Sequence, residues 1–173
     1  MLAAIAVLWS ALAFSAPILE KHGGGGAAAT AHMVRAVFSL VCHQNPERSF
    51  RVEGAPLALC ARCTGIDVGF AGGCLGVLFL RLRLSRRTVP PGRAVLLLAM
   101  APSALEAAAE LAGLTSGAGG AVLRALTGAL LGCACAFYVV PAFEELPEQI
   151  AGELRGLFSS PPSKPRSLHA ETR

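Results

Sequence analysis

Three cysteines and one histidine within residues 42–63 have the side chains and the spacing of a transition-metal site. Cys42 and His43 are adjacent, and sixteen residues separate them from the pair Cys60-x-x-Cys63. Two cysteines at this spacing can bind one metal ion from a single turn, and thiolates with an imidazole are ligands that zinc prefers. The pattern therefore predicts a zinc site formed by Cys42, His43, Cys60 and Cys63.

The same residues also suit other uses of cysteine. A Cys-x-x-Cys pair is a common redox unit, and Arg62 between the two cysteines favours their thiolate forms. A disulfide that only fastens the loop to the next apolar segment is another interpretation. Because adjacent Cys42 and His43 cannot easily point at one tetrahedral ion, His43 is alternatively a group that hydrogen-bonds a ligand or moves protons. The sequence leaves three functions open: a metal site, a membrane thiol–disulfide oxidoreductase using Cys60 and Cys63, and a small transporter or channel subunit.

The rest of the chain is too apolar for an ordinary soluble domain. Of its 173 residues, 54% are hydrophobic and 15% are charged, and the mean hydropathy is +0.57. A helix that spans a bilayer needs about 20 apolar residues. The apolar blocks predict spans at about 2–19, 64–84, 94–114 and 121–143, followed by a charged, partly disordered tail at 144–173. We therefore predict an all-α fold, an integral membrane four-helix bundle with an extracytoplasmic Cys/His loop, whose first partner is the lipid bilayer.

The orientation is predicted from the arginines that follow the second span. The connection RLRLSRRTVPPGR, residues 81–93, contains five arginines and no acidic residue. Short loops rich in Lys and Arg stay in the cytoplasm. This rule predicts that the Cys/His loop lies on the outer side of the cell membrane and that both termini are cytoplasmic. A cleaved signal peptide is the alternative for the first span, although no basic residue precedes it. The net charge of +4 reflects local arginine clusters, so we expect no nucleic-acid binding.

Four ionisable residues lie within or at the edges of the predicted spans. They are Asp67, Glu106, Glu110 and Arg124. A charge at the centre of a bilayer costs about 2.5–3.5 kcal/mol, so charges there are rarely left unpaired. In the predicted orientation all four lie at a similar depth beneath the Cys/His loop. They predict a polar pocket in the outer leaflet with Arg124 as counter-ion, while separate contact of each side chain with water is the alternative.

Glycines recur at every fourth residue in two of the spans. Gly65, Gly69 and Gly73 share one face of the second span, and Gly128 and Gly132 share one face of the fourth. Small residues at this spacing allow helices to approach closely in lipid. We expect the second and fourth spans to pack together. The glycine stripes also predict an interface for a homo-oligomer.

The residues around the cysteines resemble the signature of a known family. "CHQNPERSF" followed by "LCARCTGI" is similar to the pattern CHQ-x-P-x-R-S-F and C-A-R-C-T-G-I-Y-x-G of the DUF2085 family of small predicted multi-pass membrane proteins. The resemblance extends to "APIL" and "LRALTGALLG", and covers most of residues 10–135. It adds Gln44, Arg48 and Arg62 as supporting site residues. The family usually has tyrosine where this chain has Asp67, and often Asp followed by Gly at Glu106. The resemblance implies the fold and the site, and it brings no established activity.

Overall fold

The part of the chain that a computed structural model describes, residues 1–84, 90–114 and 117–159, contains five α-helices. These are α1 (Leu2–His22), α2 (Gly25–Ser39), α3 (Ala61–Leu84), α4 (Arg93–Leu111) and α5 (Gly117–Ser159). Between α2 and α3 lie a 3₁₀ helix, Pro46–Arg48, and the short antiparallel strands β1 (Arg51–Val52) and β2 (Ala55–Pro56). The predicted all-α class is confirmed.

Within the described residues, four helical segments are long and apolar enough to cross a membrane. They are Leu2–His22, Ala61–Leu84, Arg93–Leu111 and Gly119–Leu146. Helix α2 has only 15 residues, and a spanning helix needs about 20. Large apolar side chains on the spans remain exposed, such as Leu98 at 71% and Leu126 at 63%. Lipid accommodates such surfaces and water does not. The protein is therefore a membrane protein with four candidate spans.

The described chain divides into two compact units. One comprises Met1–Pro141, and the second begins at Ala142. The division into a membrane domain at 1–143 and a cytoplasmic tail at 144–173 stays a prediction. Residues 160–173 of that tail, residues 85–89 of the arginine connection and residues 115–116 of the turn before α5 lie outside the described residues.

Helices α3 and α5 approach each other through glycines. A Cβ atom added at Gly69 would collide with the backbone of Ala129 on α5, and one added at Gly132 would collide with the backbone of Ile66 on α3. The two backbones are so close that only glycine fits at these positions. The predicted packing of the second span against the fourth is confirmed.

Helices α1 and α2 form the support for the cysteine loop. The buried side chains of this core are Ala13, Ala16, Val34, Phe38, Cys42, Ala58 and Leu59, against which Cys60 and Cys63 pack. Arg35 of α2 donates two hydrogen bonds to the carboxylate of Glu20 on α1, at 2.5 and 2.9 Å. It also donates to the carbonyl oxygen of Pro56 at 2.7 Å. Arg35 thereby ties α1, α2 and the β-hairpin to one another.

Candidate metal centre

Three of the four predicted metal ligands come together in the structure. The Sγ atoms of Cys42, Cys60 and Cys63 all lie within 4.8 Å of one another. Cys42 is buried, Cys60 and Cys63 are partly buried, and all three are free thiols. Zn–S bonds of about 2.3 Å in a tetrahedral site separate two sulfur atoms by about 3.8 Å. Small movements of the side chains would therefore let the three sulfurs surround one metal ion.

Cys42 is positioned by the end of α2 and by a tight turn at Gln44. Gln44 has a φ of +49°, a conformation uncommon for residues other than glycine. Its backbone N–H points to the Cys42 Sγ at 3.4 Å, and its Nε2 donates to the carbonyl oxygen of Arg35 at 2.6 Å. Gln44 therefore connects the Cys42 sulfur to α2, which gives this predicted supporting residue a physical role.

Cys60 caps the N-terminus of α3, and Cys63 lies in the same first turn. The backbone N–H of Cys60 points to the Cys42 Sγ at 3.3 Å. Together with the N–H of Gln44, it gives that sulfur two hydrogen-bond donors. A hydrogen bond from the Cys63 side chain is the main reason that the pKa of Cys60 falls from its usual value to about 5. The thiolate is the form of cysteine that binds metals, and the lowered pKa of Cys60 favours that form at one of the three sulfurs. The pKa of Cys63 is raised instead, mainly by its hydrogen bond to Cys60.

His43 does not join the three cysteines. Its side chain is exposed, whereas Cys42 next to it faces the core between α1 and α2. In the part of the chain that the structure describes, the close group of candidate ligand atoms consists of the three cysteine sulfurs. The role of His43 as a fourth ligand stays a prediction.

An ion network that includes the buried residues Glu106 and Arg124 lies on one face of α4. Arg124 of α5 places its Nε 3.2 Å from Glu106 Oε1 and 3.3 Å from Glu110 Oε2. Arg62 of α3 forms ion pairs with both glutamates. Arg48, at the end of the 3₁₀ helix, lies 2.7 Å from Glu110 Oε1. Three arginines and two glutamates thus meet at the junction of the cysteine loop, α3, α4 and α5.

The ion network anchors both halves of the cysteine loop to α4. Arg62 lies between Cys60 and Cys63 in sequence, and Arg48 belongs to the segment that follows Cys42. Both arginines contact Glu110. Sequence reasoning placed Arg124 opposite the two glutamates, and the structure brings these three residues together. Sequence reasoning did not find that Arg48 and Arg62 complete the network. The signal available was that several carboxylates faced one arginine, which indicated that more cations were needed.

Asp67 is not brought into this network. It follows Arg62 by five residues, which rotates it by about 140° around an α-helix. It lines an apolar cavity of about 490 Å³ on another side of α3. For Asp67, the sequence-based prediction of a shared pocket rested only on the depth of the residue in the membrane. The angular position of Asp67 on α3 separates it from the glutamates.

One family profile and two curated proteins are similar to this chain. A profile of the family described as predicted membrane protein (DUF2085) matches residues 42–138. An uncharacterised protein of Methanocaldococcus jannaschii is 37% identical over 111 residues, 64% of this chain and 69% of that protein. An uncharacterised protein of Methanothermobacter thermautotrophicus is 46% identical over 37 residues, 21% of this chain and 33% of that protein. No solved structure matches the chain. The matched range contains the three clustered cysteines and all five residues of the ion network.

Proposed function

The chain belongs to the DUF2085 family of predicted membrane proteins, and we propose that it binds one zinc ion at the end of its helical bundle. The ligands are Cys42, Cys60 and Cys63. The observation that carries the proposal is the clustering of their three Sγ atoms within 4.8 Å of one another.

The chemistry of the donor set supports zinc. Thiolates are soft ligands that suit zinc, Cu(I) and iron–sulfur clusters. Zinc is usually four-coordinate, and three protein ligands with one open position are typical of catalytic zinc sites. Water or a substrate can take the fourth position, and His43 beside Cys42 is the protein group nearest in sequence. Three thiolates and Zn²⁺ carry a net charge of −1, which the ion network, with three arginines and two glutamates, balances.

Metal analysis of the full-length protein, purified in detergent, tests the proposal. We expect about one zinc per chain in the unchanged protein. We expect its loss in Cys42→Ser, Cys60→Ser and Cys63→Ser. Cys133→Ser is the matched control, because Cys133 lies on α5 outside the cluster, and it should keep the zinc. His43→Ala should also keep it. Absence of stoichiometric metal, or copper or iron in its place, would overturn the zinc assignment.

A thiol–disulfide oxidoreductase is the second candidate, because the Cys63 side chain hydrogen-bonds to Cys60 and the Cys42 sulfur lies beside both. Alkylation of thiols in acid-quenched cells, with and without reductant, separates the two functions. The zinc site requires all three cysteines to be reduced in the cell. A Cys60–Cys63 disulfide in metal-free protein would favour the oxidoreductase instead.

A further inference from the structure

The cavity that Asp67 lines has the size and composition of a ligand site. Its volume is about 490 Å³, and its walls include Trp9 of α1, Phe70 of α3 and Cys135 of α5. Pockets that bind small molecules measure about 300–1,000 Å³ and are mostly apolar. Apolar cavities tend to stay free of water and take up apolar molecules. The cavity therefore fits a hydrocarbon better than it fits solvent.

Asp67 is the acidic group in this apolar wall. Its Oδ2 atom is buried, and no hydrogen bond reaches it from the described part of the chain. The Ser10 hydroxyl on α1 lies beside the carboxyl group, and its oxygen also has no hydrogen-bond partner in the described part of the chain. A polar group that is buried without a hydrogen-bond partner is energetically costly. A ligand that donates a hydrogen bond to Asp67 would remove this cost.

The cavity opens toward the lipid-facing surface of the protein. Its lining residues Ile5 and Trp9 lie on a candidate span and are 54% and 40% exposed. Exposed apolar side chains on such a helix face lipid. The lining along α3 runs from Cys63 to Phe70, about 10 Å along the helix axis. A chain-like molecule can therefore enter from the bilayer and lie along the helix.

We propose that this cavity binds a single-chain amphiphile whose head group donates a hydrogen bond to Asp67 and whose hydrocarbon chain packs against Trp9 and Phe70. The head group is a hydroxyl or an amine. Asp67 and Cys63 are four residues apart on α3, hence on the same face, about 5–6 Å between Cβ atoms. The head group is thus bound one helical turn from a ligand of the candidate metal centre. The proposal goes beyond zinc binding and does not require it.

The fluorescence of Trp9 provides the test, because Trp9 is the chain's single tryptophan and lines the cavity. The probe is dodecanol brominated on its chain, which quenches tryptophan, titrated into the full-length protein in lipid nanodiscs. The equivalent methyl ether lacks the donor, and the equivalent amine carries a charged donor. We expect saturable quenching and about tenfold tighter binding of the alcohol or the amine than of the ether, because only these two can donate a hydrogen bond to the Asp67 carboxyl group. The tighter of the two donors identifies the head group.

Two substitutions separate head-group binding from cavity binding. Asp67→Leu should make the donor probes bind no more tightly than the ether. Cys135→Phe fills the cavity and should abolish saturable quenching by all three probes. Leu130→Phe, on the same helix but 51% exposed, is the matched control and should leave binding unchanged.

Two results would overturn the proposal. One is quenching that rises linearly without saturation and equally in all variants, which reports only partition into lipid. The other is equal affinity of the unchanged protein for the ether and both donor probes. Zinc content measured on the same samples keeps this outcome separate from that of the metal test. The comparison of alcohol, amine and ether uses the unchanged protein and does not depend on whether a variant folds.

Discussion

At the scale of single residues, the buried glutamates are the most demanding feature of the protein. The Glu106 side chain is only 2% exposed and contacts both Arg62 and Arg124. Charges removed from water are tolerated when they are paired, and removing one partner leaves the others uncompensated. Loss of the Glu106 charge would therefore leave Arg62 and Arg124 with less negative charge to balance them.

We predict that Glu106→Gln lowers the free energy of unfolding by about 3–5 kcal/mol, the usual cost of breaking a buried ion pair. Unfolding of the purified protein in mixed detergent micelles measures the change. Glu47→Gln is the control, because Glu47 is exposed, and surface substitutions usually change stability by less than about 0.5 kcal/mol. Removing Arg124 as well should destabilise the protein by less than the sum of the two single effects. Equal stability of the Glu106 and Glu47 variants would contradict the role of the network.

At the scale of helices, the approach of α3 to α5 depends on which face each glycine occupies. Gly69 faces the backbone of Ala129, whereas a Cβ atom at Gly76 would meet nothing within 4 Å. Both residues are on α3, so one helix offers a glycine at a contact and a glycine at an open surface. The glycine spacing predicted the α3–α5 contact because small residues directly determine how closely two helices can pack.

We predict that Gly69→Ala destabilises the protein by about 1–3 kcal/mol, because the added methyl group pushes the two backbones apart. Gly76→Ala should leave stability unchanged or raise it by up to about 1 kcal/mol, since alanine favours a helix more than glycine does. The same unfolding measurement compares the two variants. If they are equally stable, the close contact of α3 with α5 is not required for folding. The predicted homo-oligomer interface stays a prediction, and Gly76 lies on a face available for it.

At the scale of the whole molecule, long apolar stretches of the sequence predicted most of the fold. Each candidate span is one apolar block, so length and composition were enough to find it. The cysteines came together as their spacing indicated, because Cys60 and Cys63 share the first turn of α3. The position of Asp67 could not be predicted in the same way, because it depends on how α3 is rotated within the bundle. The ion pairs of Arg48 and Arg62 depend on the path of a loop, which apolar periodicity does not determine.

The length of α3 and the arginine connection together predict the orientation of the protein in the membrane. The cysteine loop precedes α3 and the arginine connection follows it, and α3 has 24 residues, about 36 Å of helix. That length exceeds the roughly 30 Å hydrocarbon core of a bilayer, so α3 is long enough for its two ends to reach opposite surfaces. Because short arginine-rich connections stay in the cytoplasm, we predict that the metal centre faces outward.

Reporter cysteines at the exposed residues Glu47 and Pro90 test this orientation with a membrane-impermeant maleimide. In intact cells, Glu47→Cys should be labelled above the level of the unchanged protein. Pro90→Cys should gain label only after the cells are permeabilised. The reverse pattern would place the cysteine cluster in the cytoplasm. A reducing cytoplasm disfavours stable disulfides, so that result would also weaken the case for an oxidoreductase while leaving the zinc site intact.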